Sequence, residues 1–157
     1  MDDIPRTKHE ACLDASYAAQ LHLLHRCIYR RVRTLLALVT VAAGTAAVTS
    51  ALQQVPGGVT AAAILVALCG TLDVVCNFTE KAVKHELLRK EYVDLLARLD
   101  AMNLADFDAI RLGIQGRSDN LITSLSLVAF NDNVRSNGHE DWVRPENRME
   151  RFMRAVA

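Results

Sequence analysis

The sequence predicts an all-α membrane protein: a two-span helical hairpin, extended into a cytoplasmic antiparallel helical stalk and followed by a C-terminal helical tail. Three observations carry this expectation. Residues 34–72 contain no Asp, Glu, Lys or Arg, a gap of 39 residues in a chain of 157. A turn signal, Pro56-Gly57-Gly58, divides that gap near its middle. On both sides of the gap, apolar residues recur at alternating steps of four and three, the spacing of a helix–helix seam.

Composition supports the class. Apolar residues make up 51% of the chain but aromatics only 5%, so the apolar mass is Ala, Leu and Val, which favours helices over a β-core. The 18 basic and 18 acidic residues balance, which argues against a nucleic-acid partner. Cys12, Cys27, Cys69 and Cys76 form no CxxC pair and no cluster with histidine, as expected of small apolar residues in a reducing compartment. His22 and His25 share a helix face with no carboxylate nearby in sequence, so neither a metal nor a cofactor is expected. No GxGxxG, P-loop, GxSxG or HExxH pattern occurs, and the chain is not expected to be an enzyme.

In chain order, residues 1–33 are read as a cytoplasmic N-terminal helix whose seam is Tyr17, Leu21, Leu24 and Ile28. Residues 34–52 form the first span, 53–58 (QQVPGG) a short extracytoplasmic turn, and 59–78 the second span. A bilayer core of about 30 Å needs about 20 apolar residues, so two spans fit where one would be too long. A buried hairpin of a soluble protein competes with this reading. It is disfavoured because neither segment shows a polar stripe wide enough for a solvated face. Residues 79–102 form a cytoplasmic exit helix with its seam at Leu88, Tyr92, Leu95 and Leu99. Paired with the entry helix, it would build a stalk of about 39 Å.

Residues 103–157 form the tail. Residues 105–114 look helical, and Ser118-Asp119-Asn120 is a candidate cap for a helix running to about Val134. Pro145 suits the first turn of a last helix over 146–156, which places Arg148, Arg151 and Arg154 along one side. That side either touches anionic lipid or simply solvates the surface. The second reading is preferred because Glu146 and Glu150 dilute the charge.

Basic residues set the orientation. Arg26, Arg30, Arg31 and Arg33 precede the first span, Lys81, Lys84, Arg89 and Lys90 follow the second, and the turn carries no charge. Both termini are therefore expected in the cytoplasm. Within the spans, Asp73 is the one ionisable carboxylate. Cys69, Asp73 and Cys76 share a helix face, flanked by Gly70 and Asn77, while the first span offers Thr40, Thr45 and Thr49. These eight residues are the candidate pore-lining or inter-helix positions. Asp73 either lines a pore in an oligomer or senses protons, bonds Thr40 or a neighbouring chain as structural glue, or snorkels toward the interface near Arg33.

The two spans and the exit-helix pattern Phe78, Lys81-Ala82, His85, Leu88, Tyr92 and Leu95 resemble the SLATT superfamily of bacterial two-span proteins over about residues 10–102. The chain is also similar to small two-span proteins of bacterial and prophage origin. The SLATT resemblance implies an oligomeric membrane effector, pore-forming or membrane-disrupting, acting beside second-messenger synthetases in conflict and defence loci. The partners so implied are the lipid bilayer, further copies of the chain, and a cytoplasmic sensor or second-messenger-system protein. The competing functions are a non-conducting membrane-anchored scaffold or adaptor, and a prophage holin-like or superinfection-exclusion protein.

Overall fold

A computed structural model describes residues 6–118 and 121–157. The described residues are helical and contain no strand: α1 (Lys8–Leu52), α2 (Gly58–Cys76), α3 (Phe78–Ala97), α4 (Leu104–Gln115), α5 (Ser124–Ser136) and α6 (Arg148–Val156). Short 3-10 turns cover Leu99–Ala101 and Glu140–Trp142. The chain divides into two compact units, one of Ile28–Ala82 and one of Met1–Cys27 with Val83–Ala157.

The unit Ile28–Ala82 is built from the apolar segments. α1 ends in a Schellman motif: the Val55 N–H donates to the Ser50 carbonyl at 3.0 Å and the Gln54 N–H to the Ala51 carbonyl at 3.4 Å. This places Gln54 in the left-handed region, at φ 52. Gly57, at φ 75, then turns the chain into α2. Gly58 lies so close to α1 that an added Cβ would sit 2.8 Å from Ser50 Cβ, so the turn needs glycine at both positions.

The covered faces follow helical spacing. On α2 they are Ala62, Val66, Cys69, Asp73 and Cys76; on α1 they are Val32, Leu36, Thr40, Ala43, Ala47 and Ser50. The remaining faces are apolar and uncovered, with Val41 68%, Val48 61%, Val74 80% and Val75 75% exposed. Both helices that contain these segments are long and apolar enough to cross a membrane.

α2 does not continue smoothly into α3 as the sequence suggests. Asn77 breaks it in the left-handed conformation, at φ 47 and ψ 50. Asparagine tolerates that region because its short amide bonds locally, here to the Glu80 carboxylate. The ladder still bridges the break, for the Asn77 N–H donates to the Asp73 carbonyl at 3.0 Å and the Lys81 N–H to the Asn77 carbonyl at 3.2 Å. Beside it, the Tyr29 ring lies 6.3 Å from Phe78, and Lys81 Nζ lies 6.0 Å from the Tyr29 ring centre.

The other unit holds a conventional core. Ala11, Ala15 and Ala19 of α1 pack with Leu88, Tyr92 and Leu95 of α3 and with Phe107 and Ile114 of α4. Three boundaries differ from the sequence reading. α3 ends at Ala97 rather than 102, because Asn103 caps a new helix by accepting the Asp106 N–H at 2.8 Å. α5 begins at Ser124 and reaches Ser136; Asp119 and Asn120 of the expected cap lie outside the described residues. α6 begins at Arg148, because Asn147 and Glu150 form a capping box, which leaves Pro145 ahead of the helix.

α5 joins the tail to α1. Its buried Asn133 donates to the Leu13 carbonyl at 3.1 Å. Its fully buried Asn131 donates to the Arg144 carbonyl at 2.8 Å and accepts the Arg144 N–H at 2.9 Å, clamping the segment that leads into α6.

Candidate functional site

Two clusters of polar groups sit where apolar side chains would be expected, one in each unit. In Ile28–Ala82 the cluster is centred on Asp73. Its Oδ1 is buried and has no hydrogen-bond partner among the described residues. Thr40 does not supply one, because its hydroxyl donates to the Leu36 carbonyl of its own helix at 2.8 Å. Cys69 is buried and Cys76 half-buried on the same face of α2 as Asp73. The other candidates from the sequence fall elsewhere. Gly70, Asn77, Thr45 and Thr49 are exposed, and both threonines donate back to carbonyls one turn earlier. Close approach in this unit occurs at Gly58, whereas a Cβ at Gly44 or Gly70 would meet nothing within 4 Å. An unpartnered carboxylate oxygen on the covered face of an apolar helix is costly, since no protein donor offsets its desolvation.

In the other unit, His22, His25 and His85 are 2%, 0% and 3% exposed. His22 Nδ1 and His85 Nδ1 are 2.8 Å apart, so one nitrogen must donate and the other accept. His25 stacks on His85 with ring centres 4.7 Å apart, and His22 stacks on Tyr92 at 5.7 Å. The proton on His25 is fixed by its partners. The Ile122 N–H donates to Nε2 at 2.7 Å, so Nδ1 carries the hydrogen and donates to the Leu21 carbonyl at 2.8 Å. Burial lowers the pKa of His25, opposed by the Leu21 carbonyl. Burial, and secondarily the charge of His25, lowers that of His22 to about 4. The three rings stack rather than converge, and among the described residues no group of three His, Cys, Asp or Glu side chains could hold a metal ion.

Leu88, Tyr92 and Leu95 are buried on α3, as are Leu21, Leu24 and Ile28 on α1, while Leu99 and Tyr17 are half-buried. Tyr92 stacks on His22 and shares a core with Ala11, Ala15 and Ala19 of α1. Two faces of α1 are covered here, because α4 and α5 pack in this unit as well. The histidine trio escaped the sequence reading because His85 lies 63 residues from His22. The buried asparagines of α5 had no pattern to mark them.

Comparison with protein-family models, with curated proteins and with solved structures finds no match to this chain.

Proposed function

We propose that the chain is a two-span protein of the bacterial inner membrane, acting as an oligomeric, pore-forming or membrane-disrupting effector. The apolar outer faces of α1 and α2 support the membrane reading, since soluble proteins rarely leave such contiguous apolar surface uncovered. The described segments before and after Ile28–Ala82 belong to one compact unit, which fits both flanks on a single side of the bilayer. The basic residues flanking the apolar segments make that side the cytoplasm. The exit-helix resemblance to the SLATT superfamily supports a conflict or defence role, with a cytoplasmic sensor as its partner.

The buried Oδ1 of the half-buried Asp73, unpartnered among the described residues, carries the proposal. In the closed helix pair its carboxylate is poorly satisfied. An assembly in which the pair loosens and Asp73 meets water, or a donor from another copy, relieves that cost. The same group thus favours oligomerisation and a hydrated path. Induced expression should collapse the membrane potential, and Asp73→Ala or Asp73→Leu should abolish the collapse while stabilising the isolated chain by about 1–3 kcal/mol. Depolarisation that survives both substitutions would remove Asp73 from the mechanism, and absence of depolarisation by the unaltered chain would sink the pore.

A scaffold or adaptor reading has one specific observation behind it. The unit outside the apolar helices is larger than they are and has its own core, which a bare lesion-former would not need. Stable oligomers without conductance in liposomes would favour it.

A further inference from the structure

A cavity of about 550 Å³, a volume suited to a small molecule, opens between α1 and the tail. All the residues that line it belong to the unit of Met1–Cys27 with Val83–Ala157. Its walls are largely apolar and aromatic, with Leu13 and Tyr17 from α1, Leu127 and Phe130 from α5, and Trp142 from the turn beyond. Trp142 is 56% exposed although the His139 ring covers one face of its indole, 4.7 Å away and 15° from parallel. The Arg144 guanidinium lies over the Phe130 ring, 5.0 Å from its centre, which fixes that cation beside the cavity. Asp14 also lines the cavity, but Arg6 pairs with it at 2.5 Å. Among the described residues no acid pairs with the Arg144 guanidinium.

Arg144 also lines a second, shallower cleft of about 430 Å³, together with Arg135 and Arg151. The charges around this cleft are sorted by the fold. Glu146 is gripped by Arg154, with Nε at 3.0 Å from Oε2, and accepts from Asn131 Nδ2 at 3.0 Å. The Arg154 bonds, and after them that of Asn131, hold its pKa down to about 2 against the effect of burial, so it is a satisfied anion. Asp132 is shared between Arg154 at 2.5 Å and Arg135 at 3.4 Å. Four guanidiniums, of Arg135, Arg144, Arg151 and Arg154, thus stand against the two carboxylates of Asp132 and Glu146. The excess of positive charge lies beside an aromatic-walled cavity, and Arg144 belongs to both.

We infer that the cavity and the cleft together bind a planar aromatic molecule that carries a phosphate, with its ring among Tyr17, Phe130 and Trp142 and its anion on Arg144 and the adjoining guanidiniums. Aromatic faces take a flat ring, and guanidiniums take phosphate oxygens in paired hydrogen bonds. One ligand reaches both parts because Arg144 lines both. The inference stands apart from the membrane reading, since every residue in it belongs to one compact unit.

Trp142 is the only tryptophan, so the full chain labelled with 5-fluorotryptophan gives one fluorine signal, from the cavity wall. The detergent-solubilised chain would be titrated with 1-naphthyl phosphate, 1-naphthol and inorganic phosphate, with free concentrations fixed by dialysis. The signal should shift saturably, and naphthyl phosphate should bind at least about tenfold tighter than either of the other two. R144Q keeps the backbone bonds to Asn131; it should weaken naphthyl phosphate by about tenfold and leave naphthol unchanged. R148Q, on an exposed residue outside both cavities, should change neither. Naphthol binding as tightly as its phosphate overturns the anion site, and inorganic phosphate binding as tightly overturns the aromatic one. Equal losses in R144Q and R148Q reduce the effect to diffuse charge attraction and overturn the site as a whole. So does the absence of any saturable shift in the unaltered chain, which leaves the cavity a hydrated groove.

Discussion

His25 shows how far one side chain can be determined by its neighbours. Its two ring nitrogens meet one donor and one carbonyl, so only the neutral tautomer with the hydrogen on Nδ1 satisfies both. Adding a proton would set a second donor against the Ile122 N–H. The close His22–His85 contact has the same property, since two protonated rings could not share it. The cluster therefore ties stability to pH with a definite sign. The folded pKa of His22, about 4, lies below the unfolded value of about 6.5, so the unfolded chain binds the proton more readily. The contribution is fully present above about pH 6.5 and is lost as pH falls toward 4, by on the order of 2 kcal/mol. Melting of the detergent-solubilised chain should show this decline, and His22→Gln should flatten it. A flat profile for the unaltered chain between pH 7 and 5 would contradict the assignment. Glu146 does not confuse the window, because its stabilisation is lost only as pH falls below its unfolded range toward 2.

At the scale of elements, the parts legible in the sequence were those written in local pattern. The charge-free gap and its central Pro-Gly-Gly marked two apolar helices and their turn, because helix length and turn chemistry are short-range properties. Boundaries governed by a single side chain were less legible. Asn77 breaks α2 from α3 without interrupting the apolar pattern, and Asn103 and Asn147 start helices that periodicity alone does not locate. Two faces of α1 are covered, which a two-helix pattern cannot reveal.

Two substitutions test these elements. Gly58→Ala pushes a methyl group into Ser50 of α1 and should destabilise the apolar pair by about 1–3 kcal/mol, whereas Gly44→Ala, with open space around it, should be tolerated. Equal melting temperatures for the two variants would contradict the close approach. Asn131→Ala removes the clamp on Arg144 and should cost about 1–3 kcal/mol. It should raise amide exchange through α6 more than in α4, and uniform exchange would count against α5 as the anchor of the tail.

For the molecule as a whole, the candidate sites were partly readable. Asp73 stood out because an ionisable residue in an apolar run is conspicuous, but its lack of a partner depends on where the Thr40 hydroxyl points. The histidine trio and the charge sorting in α6 arise only when distant segments meet, so no local spacing records them. What joins these features is the membrane reading. It explains why so much apolar surface of α1 and α2 is uncovered, why the charges lie outside those segments, and why the described segments on either side of Ile28–Ala82 share one unit. The most direct test is cysteine accessibility in intact spheroplasts, in a background with the four native cysteines replaced by alanine. The account predicts that a membrane-impermeant maleimide labels Q54C in the turn from outside and labels S136C at the end of α5 only after the membrane is opened. Equal labelling of both positions in sealed spheroplasts, or protection of both, would contradict it.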